Sequence, residues 1–278
     1  MQIKGLHHVS ALTAHAAENY GFYTNVMGLR LIKKTVNQDD VSVYHLFYGD
    51  EKGNPGTELT FFEIPMAGQT REGVNSISAT SLRVRSDAAL TYWQQRFDEF
   101  EVPHGEITER GGRATLSFTD FEGQRLILVS DEHNTGVAGG KPWDQSPVPA
   151  EYGIVGLGGS GSEVHVEERN DLAQERPGRG SVHHVAFRVD NEEELKQWVE
   201  RVHNFRFPNS GFVDRFYFRS LYFREPNGIL FELATDGPGF DTDEELAHLG
   251  ESLALPPFLE GRRAEIESKL KPLDTMIR

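Results

Sequence analysis

Two histidine pairs and one glutamate are the residues whose types and spacing could do chemistry. His7-His8 opens one apolar run, Leu6-His7-His8-Val9-Ser10-Ala11, and His183-His184 opens another, Val182-His183-His184-Val185-Ala186. Glu232 lies inside a third, Ile229-Leu230-Phe231-Glu232-Leu233. A carboxylate within an apolar strand is costly unless a partner holds it. That partner could be a metal ion or an arginine. The chain has no cysteine, which excludes disulfides, thiolate metal sites and a cysteine nucleophile. No glycine-rich phosphate loop precedes a helix, and there is no nucleophile-elbow serine.

An internal repeat relates these residues. Three segments open with a short β-type run followed by a helical pattern: 6–27, 78–100 and 182–202. Tyr20, Tyr23, Thr24 and Met27 recur at three- and four-residue intervals, as do Leu90, Trp93, Phe97 and Phe100, and Leu195, Trp198, Val199 and Val202. That is the period of an amphipathic helix. Asn191 ahead of Glu193 and Glu194 reads as an N-cap with first-turn acids. Each unit then meets a turn, at 53–56, 120–123 and 225–228, followed by an apolar strand. The unit is a strand, a helix and a meander of strands. The expected fold is α+β, built of tandem βαβββ modules.

Aligning the units on their first strands places His8, Ala79 and His184 in one slot. Counting four residues from each turn glycine places Thr60, Ile127 and Glu232 in another. Two imidazoles and one carboxylate from matching slots, His8, His184 and Glu232, form a set able to hold one face of an octahedral metal. Such a set leaves three positions open, as dioxygen activation requires, and its ligand types suit Fe(II), with Mn(II) as the alternative. His45 has no repeat partner and ranks well below these three. Glu63 lies three residues past its slot and would need a bulge.

The expected modules are 1–70, 71–150, a shortened third at 151–180, 181–240, and a helical tail at 241–278. The third has a strand start (Ile154-Val155-Gly156-Leu157) and a strand end (Val164-His165-Val166), joined only by Gly158-Gly159-Ser160-Gly161-Ser162. It reads as a unit that has lost its helix and middle strands, by deletion or by an engineered join. An ordinary glycine-rich loop is the other reading. With its partner shortened, unit two should leave Leu126 and Leu128, or Ile127 and Val129, facing water. An apolar patch and an open sheet edge predict a covering second copy, hence a homodimer, or a less stable second unit.

The net charge of -15, from 43 acidic and 28 basic residues, argues against nucleic acid as a partner. The N-terminus has no apolar signal region, and no run is long enough to span a membrane. The expected location is the cytoplasm.

At these residues the sequence resembles the ring-cleaving dioxygenases of the glyoxalase/vicinal oxygen chelate superfamily, most of all the hydroquinone 1,2-dioxygenase group. The matching segments are 6–10, 27–30, 44–49, 55–57, 182–187, 214–224 and 228–232, with a further likeness at 249–256. The resemblance implies Fe(II) on His8, His184 and Glu232, and a small aromatic diol and O2 as substrates. It also implies that Arg215 stabilises anionic charge, that Tyr222, His7 and His183 move protons, and that Ser10 lies beside the site. The family has four complete modules, where this chain has three and a remnant. A glyoxalase-like isomerase or lyase on the same fold would need a second carboxylate, which Thr60 does not supply. A metal-free small-molecule binding protein of this fold would not need both His and Glu.

Overall fold

The computed structural model describes residues 1–134, 136–158 and 164–276. The first unit comprises β1 (Leu6–Thr13), α1 (Ala16–Gly21), β2 (Arg30–Asn37), β3 (Asp40–Gly49) and β4 (Glu58–Glu63). The second comprises β5 (Thr80–Val84), α2 (Asp87–Glu99), β6 (His104–Arg110), β7 (Arg113–Thr119) and β8 (Arg125–Ser130). A single strand, β9 (Ile154–Leu157), precedes the last unit. That unit is β10 (Val182–Val189), α3 (Glu192–Asn204), β11 (Val213–Asp214), β12 (Arg219–Arg224) and β13 (Leu230–Thr235).

Local chemistry accounts for these elements. Ser86 and Asn191 cap α2 and α3 through side-chain oxygens that accept from the Ala89 and Glu194 backbone N–H groups, at 3.3 and 3.0 Å. Glu192, Glu193 and Glu194 favour the positive end of α3. Leu90, Trp93 and Phe97 give α2 its fully buried face. The three repeat turns share one device. A carboxylate (Asp50, Asp120 or Glu225) accepts backbone N–H groups two and four residues on. Gly123 and Gly228 take φ of 81° and 90°, a conformation that favours glycine.

The first helix departs from expectation. It is α-helical only to Gly21 and continues as a π-helical turn, Phe22–Val26. The wider turn leaves carbonyls free, and the Arg96 guanidinium of α2 donates to those of Val26 at 2.8 Å and Asn25 at 2.6 Å.

The first and last units share an eight-stranded sheet, ordered β11-β12-β13-β10-β1-β4-β3-β2. At its centre β1 pairs antiparallel with β10, and each pairs in parallel with its own last strand, β4 or β13. The second sheet runs β6-β7-β8-β5-β9. The registers Ser10↔Thr60, Ser81↔Ile127 and Ala186↔Glu232 match the slots inferred from the repeat. The architecture is mixed α+β with tandem βαβββ units.

The expectation for unit two fails. Leu126, Leu128, Ile127 and Val129 are all buried within the chain. Leu126 and Leu128 pack in one core with Trp93 and Phe97 of α2, and that core runs on into Tyr23, Tyr48 and Phe61 of unit one. The edge is also occupied. β9 pairs with β5 on one side. On the other, Gly140 donates its N–H to the Val155 carbonyl (2.7 Å), and Leu157 donates to that of Gly56 (2.8 Å). These four residues therefore offer no exposed apolar patch for a second copy to cover. Val164-His165-Val166 forms no strand, and Val166 is 92% exposed. Residues 173–180 instead bridge to the linker after β4, where Arg71 and Arg176 exchange backbone hydrogen bonds at 3.0 and 2.9 Å. The Gly159–Ser162 part of the expected join lies outside the described residues.

The tail packs over the first unit, as Leu255, Leu259 and Ile266 cluster on Val36. Among the described residues, no helix is long and apolar enough to cross a membrane.

Candidate metal centre

Strand alternation alone would send His7 and His8 to opposite faces of the sheet. A β-bulge prevents this. Leu6 pairs with Phe187 but Val9 with Val185, so β1 carries an extra residue across His7 and His8. The converse holds on β10, where Ser10 pairs with His184 and Ala11 with Val182, leaving the extra residue at His183. Bulges re-aim side chains in this way. Each turns two consecutive imidazoles toward one another, with Nδ1–Nδ1 separations of 3.0 Å for His7 and His8 and 2.7 Å for His183 and His184.

Those contacts fix the tautomers. His7 Nε2 lies 3.1 Å from the Thr235 carbonyl, which can only accept, so this nitrogen carries the proton. Burial, then the neighbouring His8, pushes the His7 pKa down to about 3, so its ring is neutral. His7 Nδ1 therefore accepts, His8 Nδ1 donates to it, and the lone pair of His8 falls on Nε2. His183 and His184 make the same Nδ1–Nδ1 contact, which leaves His184 Nε2 free to face Glu232. Burial also holds His184 below the usual imidazole range, favouring its neutral form.

The three expected ligand atoms converge. Glu232 Oε2 lies 3.1 Å from His8 Nε2 and 2.9 Å from His184 Nε2, and the two nitrogens are 3.2 Å apart. Metal bonds of ~2.1 Å at right angles put neighbouring donors about 3 Å apart. All three residues are buried. Glu232 Oε2 accepts no hydrogen bond, while Ser220 donates to Oε1 at 2.5 Å. Burial alone would push this carboxyl up, but the adjoining His8 and His184 side chains hold it well below the usual range. Two imidazole nitrogens and a carboxylate oxygen without a hydrogen-bond partner, buried and within 3.2 Å of one another, make a donor set for a cation. The residues fit a metal ion.

A second group, His7, His8 and Glu58, also has ligand atoms close together. It is less suited. The two Nδ1 atoms are committed to each other, and burial raises the Glu58 carboxyl well above its usual range, which favours its neutral form.

The walls of the site come from both units. Tyr222 faces Glu232 across β12 and β13, and its ring lies edge-on to His184 at 5.8 Å. Arg215 donates to the Tyr222 hydroxyl at 3.2 Å and to Asp39 at 3.0 and 3.3 Å. Burial raises the Tyr222 hydroxyl, which stays protonated. Ser10 Oγ bonds Thr60 Oγ1 at 2.7 Å, and Thr60 Oγ1 lies 3.0 Å from His45 Nε2. Phe218 packs against both His7 and His8 at 5.4 Å.

Residues 5–233 match the glyoxalase/bleomycin resistance protein/dioxygenase superfamily. The chain belongs to that superfamily. It is 50% identical to MhqA of Bacillus subtilis, named as a ring-cleaving dioxygenase, over 98% of this chain and 100% of that one. It is 30% identical to a chlorohydroquinone/hydroquinone 1,2-dioxygenase of Sphingobium indicum, over 95% of each chain. A crystal structure of a B. subtilis protein named as a dioxygenase superposes with a TM-score of 0.87 at 32% identity, covering 100% of this chain and 99% of that one. Glyoxalase I of Zea mays shares the fold at 11% identity, with a TM-score of 0.58 over 89% of this chain and 97% of that one.

Within this superfamily member, the structure gathers His7, His8, Ser10, His183, His184, Arg215, Tyr222 and Glu232 around one centre. Sequence reasoning missed Ser220, and His45, ranked below the three ligands, is in neither group of close ligand atoms among the described residues. Ser220 precedes Tyr222 by two residues and so shares its strand face, which was a usable signal. Because Ser220 leaves only Oε2 turned to the imidazoles, Ser220→Ala should lower metal affinity roughly tenfold, as loss of a ligand's outer partner does. A chelator-competition titration measures this, and an unchanged affinity would show that Ser220 only fills space.

Proposed function

We propose that this protein is a non-haem Fe(II)-dependent, extradiol-type ring-cleaving dioxygenase acting on hydroquinones or related aromatic diols. The observation that carries the reading is the convergence of two imidazole lone pairs and one unpaired carboxylate oxygen, joined to the likeness to ring-cleaving relatives. His8, His184 and Glu232 would hold the iron. Bound there, Fe(II) supplies a Lewis acid and a path for electrons between diol and O2. The chain's own groups do the rest. His7 and His183 hold the ligand imidazoles in the tautomer that offers Nε2. The Arg215 guanidinium offers fixed positive charge to an ionised diol oxygen. The protonated Tyr222 hydroxyl can donate to that oxygen or return a proton as the ring opens. Phe47, Phe62 and Phe218 give the ring an apolar surround.

Thr60 occupies the slot equivalent to Glu232, so the site offers no second carboxylate there, which disfavours the isomerase reading. The test is oxygen consumption by the iron-loaded protein with hydroquinone. The expected result is one O2 taken up per ring opened, abolished by chelation. Isomerisation of a thiol adduct without oxygen uptake would overturn the proposal.

We also read 151–180 as the remainder of a third module. β9 pairs antiparallel with β5 as β10 does with β1. The alignment with MhqA runs over 317 positions and takes in 98% of the 278 residues here, so MhqA carries more than 40 positions that this chain lacks. Both observations support the reading.

A further inference from the structure

His45 is held in a way that packing does not explain. Its ring is stacked on Phe62 (3.9 Å, 28°) and lies 4.0 Å from Phe47. A phenyl ring would fill such a place without the cost of desolvating two ring nitrogens. Only one nitrogen is compensated, as Nε2 bonds Thr60. Among the described residues, nothing is hydrogen-bonded to Nδ1, and this nitrogen is not one of the buried unpaired atoms, so it is open to a group that enters the site. The side chain is partly open to solvent. Burial keeps its pKa well below the usual value, so it carries one N–H and one lone pair.

Its position relates it to the metal centre. His45 lies opposite Phe62 in the β3–β4 register, and Thr60 lies opposite Ser10 in the β1–β4 register. Ser10 in turn pairs with His184. The Phe62 ring beneath His45 also approaches the rings of His183 and His184, at 5.5 and 6.3 Å. His45 therefore looks across the same concave face as the ligands, from a strand two places away from β1, or about 10 Å along the sheet. The opposite wall, where Arg215 bonds both Tyr222 and Asp39, serves the metal-bound oxygen and leaves the remote one to β3.

Resting on the function proposed above, we infer that His45 Nδ1 binds the diol hydroxyl remote from the metal-bound one, and so selects 1,4-diols over 1,2-diols. A 1,4-diol with one oxygen at the metal carries the other across the ring toward β3. A 1,2-diol keeps both oxygens on the metal side and offers none to His45. Thr60, braced by Ser10, sets the rotation of the imidazole, and the two phenyl rings set its plane.

The test is calorimetric titration of the iron-loaded protein under argon, with hydroquinone and with catechol as probes. The native protein should bind hydroquinone more tightly. His45→Phe keeps the stack and removes the nitrogen, and should weaken hydroquinone roughly tenfold, the usual effect of one hydrogen bond, while leaving catechol unchanged. Thr60→Val leaves the imidazole in place but unbraced, and should weaken hydroquinone alone by a smaller factor. It also serves as the readout should His45→Phe fold poorly. Equal weakening of both diols, no weakening of either, or a native preference for catechol would overturn the inference while leaving ring cleavage intact. A native protein that binds neither diol would overturn both.

Discussion

Glu232→Gln should purify folded and nearly free of metal. The substitution keeps the side chain's shape and its contact with Ser220 but removes the only anion of the proposed ligand set. Loss of an outer partner alone typically costs ten- to a hundredfold in metal affinity. Loss of the carboxylate itself should cost at least about a hundredfold and abolish oxygen uptake with hydroquinone. The stability readout separates this from misfolding. A single cooperative thermal transition in the metal-free variant shows that it is folded. Added Fe(II) at a hundred times the native Kd should stabilise the native protein by about 2.7 kcal/mol and the variant by almost nothing. Full metal occupancy in the variant would show that Glu232 is not a ligand.

The second large effect is expected far from the metal. Trp93 is fully buried in the core that joins α2 to unit one, and its indole N–H donates to the Tyr152 carbonyl at 2.8 Å. Tyr152 in turn stacks on Tyr92 at 4.5 Å, which ties the approach to β9 down onto α2. Trp93→Ala should therefore cost about 3–5 kcal/mol, as large-to-small changes in well-packed cores do. It should also release protection from amide exchange along β5 and β9 together. Denaturant unfolding and exchange measure the two. A loss below about 1 kcal/mol would mean that the second sheet does not depend on this core, and that something else shields Leu126 and Leu128.

A histidine pair repeated at matching strand starts, and a glutamate at a matching count from a turn glycine, were legible in the sequence because a repeated unit reuses one backbone. Position within the unit then stands for position in space. The same logic made the helices legible, since their apolar period is local, and the turns, since a carboxylate and a glycine at fixed offsets do the same work three times. The fold class followed from those elements.

The orientation of the histidines was not legible. Alternation along β1 separates His7 from His8, and only the bulges against β10 bring both to one side. A bulge is a property of two strands whose sequences lie some 180 residues apart. Ser220 and His45 were hard to find for the same reason, because each matters through a partner on a neighbouring strand. The shortened region misled for a related one. The short strand at 154–157 was visible in the chain, but the backbone groups that cover it come from Gly56, in a repeat turn, and Gly140, and no local pattern marks either contact. The sequence by itself determined which residue types recur in which slots, because local periodicity and repetition are written along the chain. The tertiary structure alone decided which of those residues face one another, because register, bulges and edge coverage depend on the pairing of distant segments.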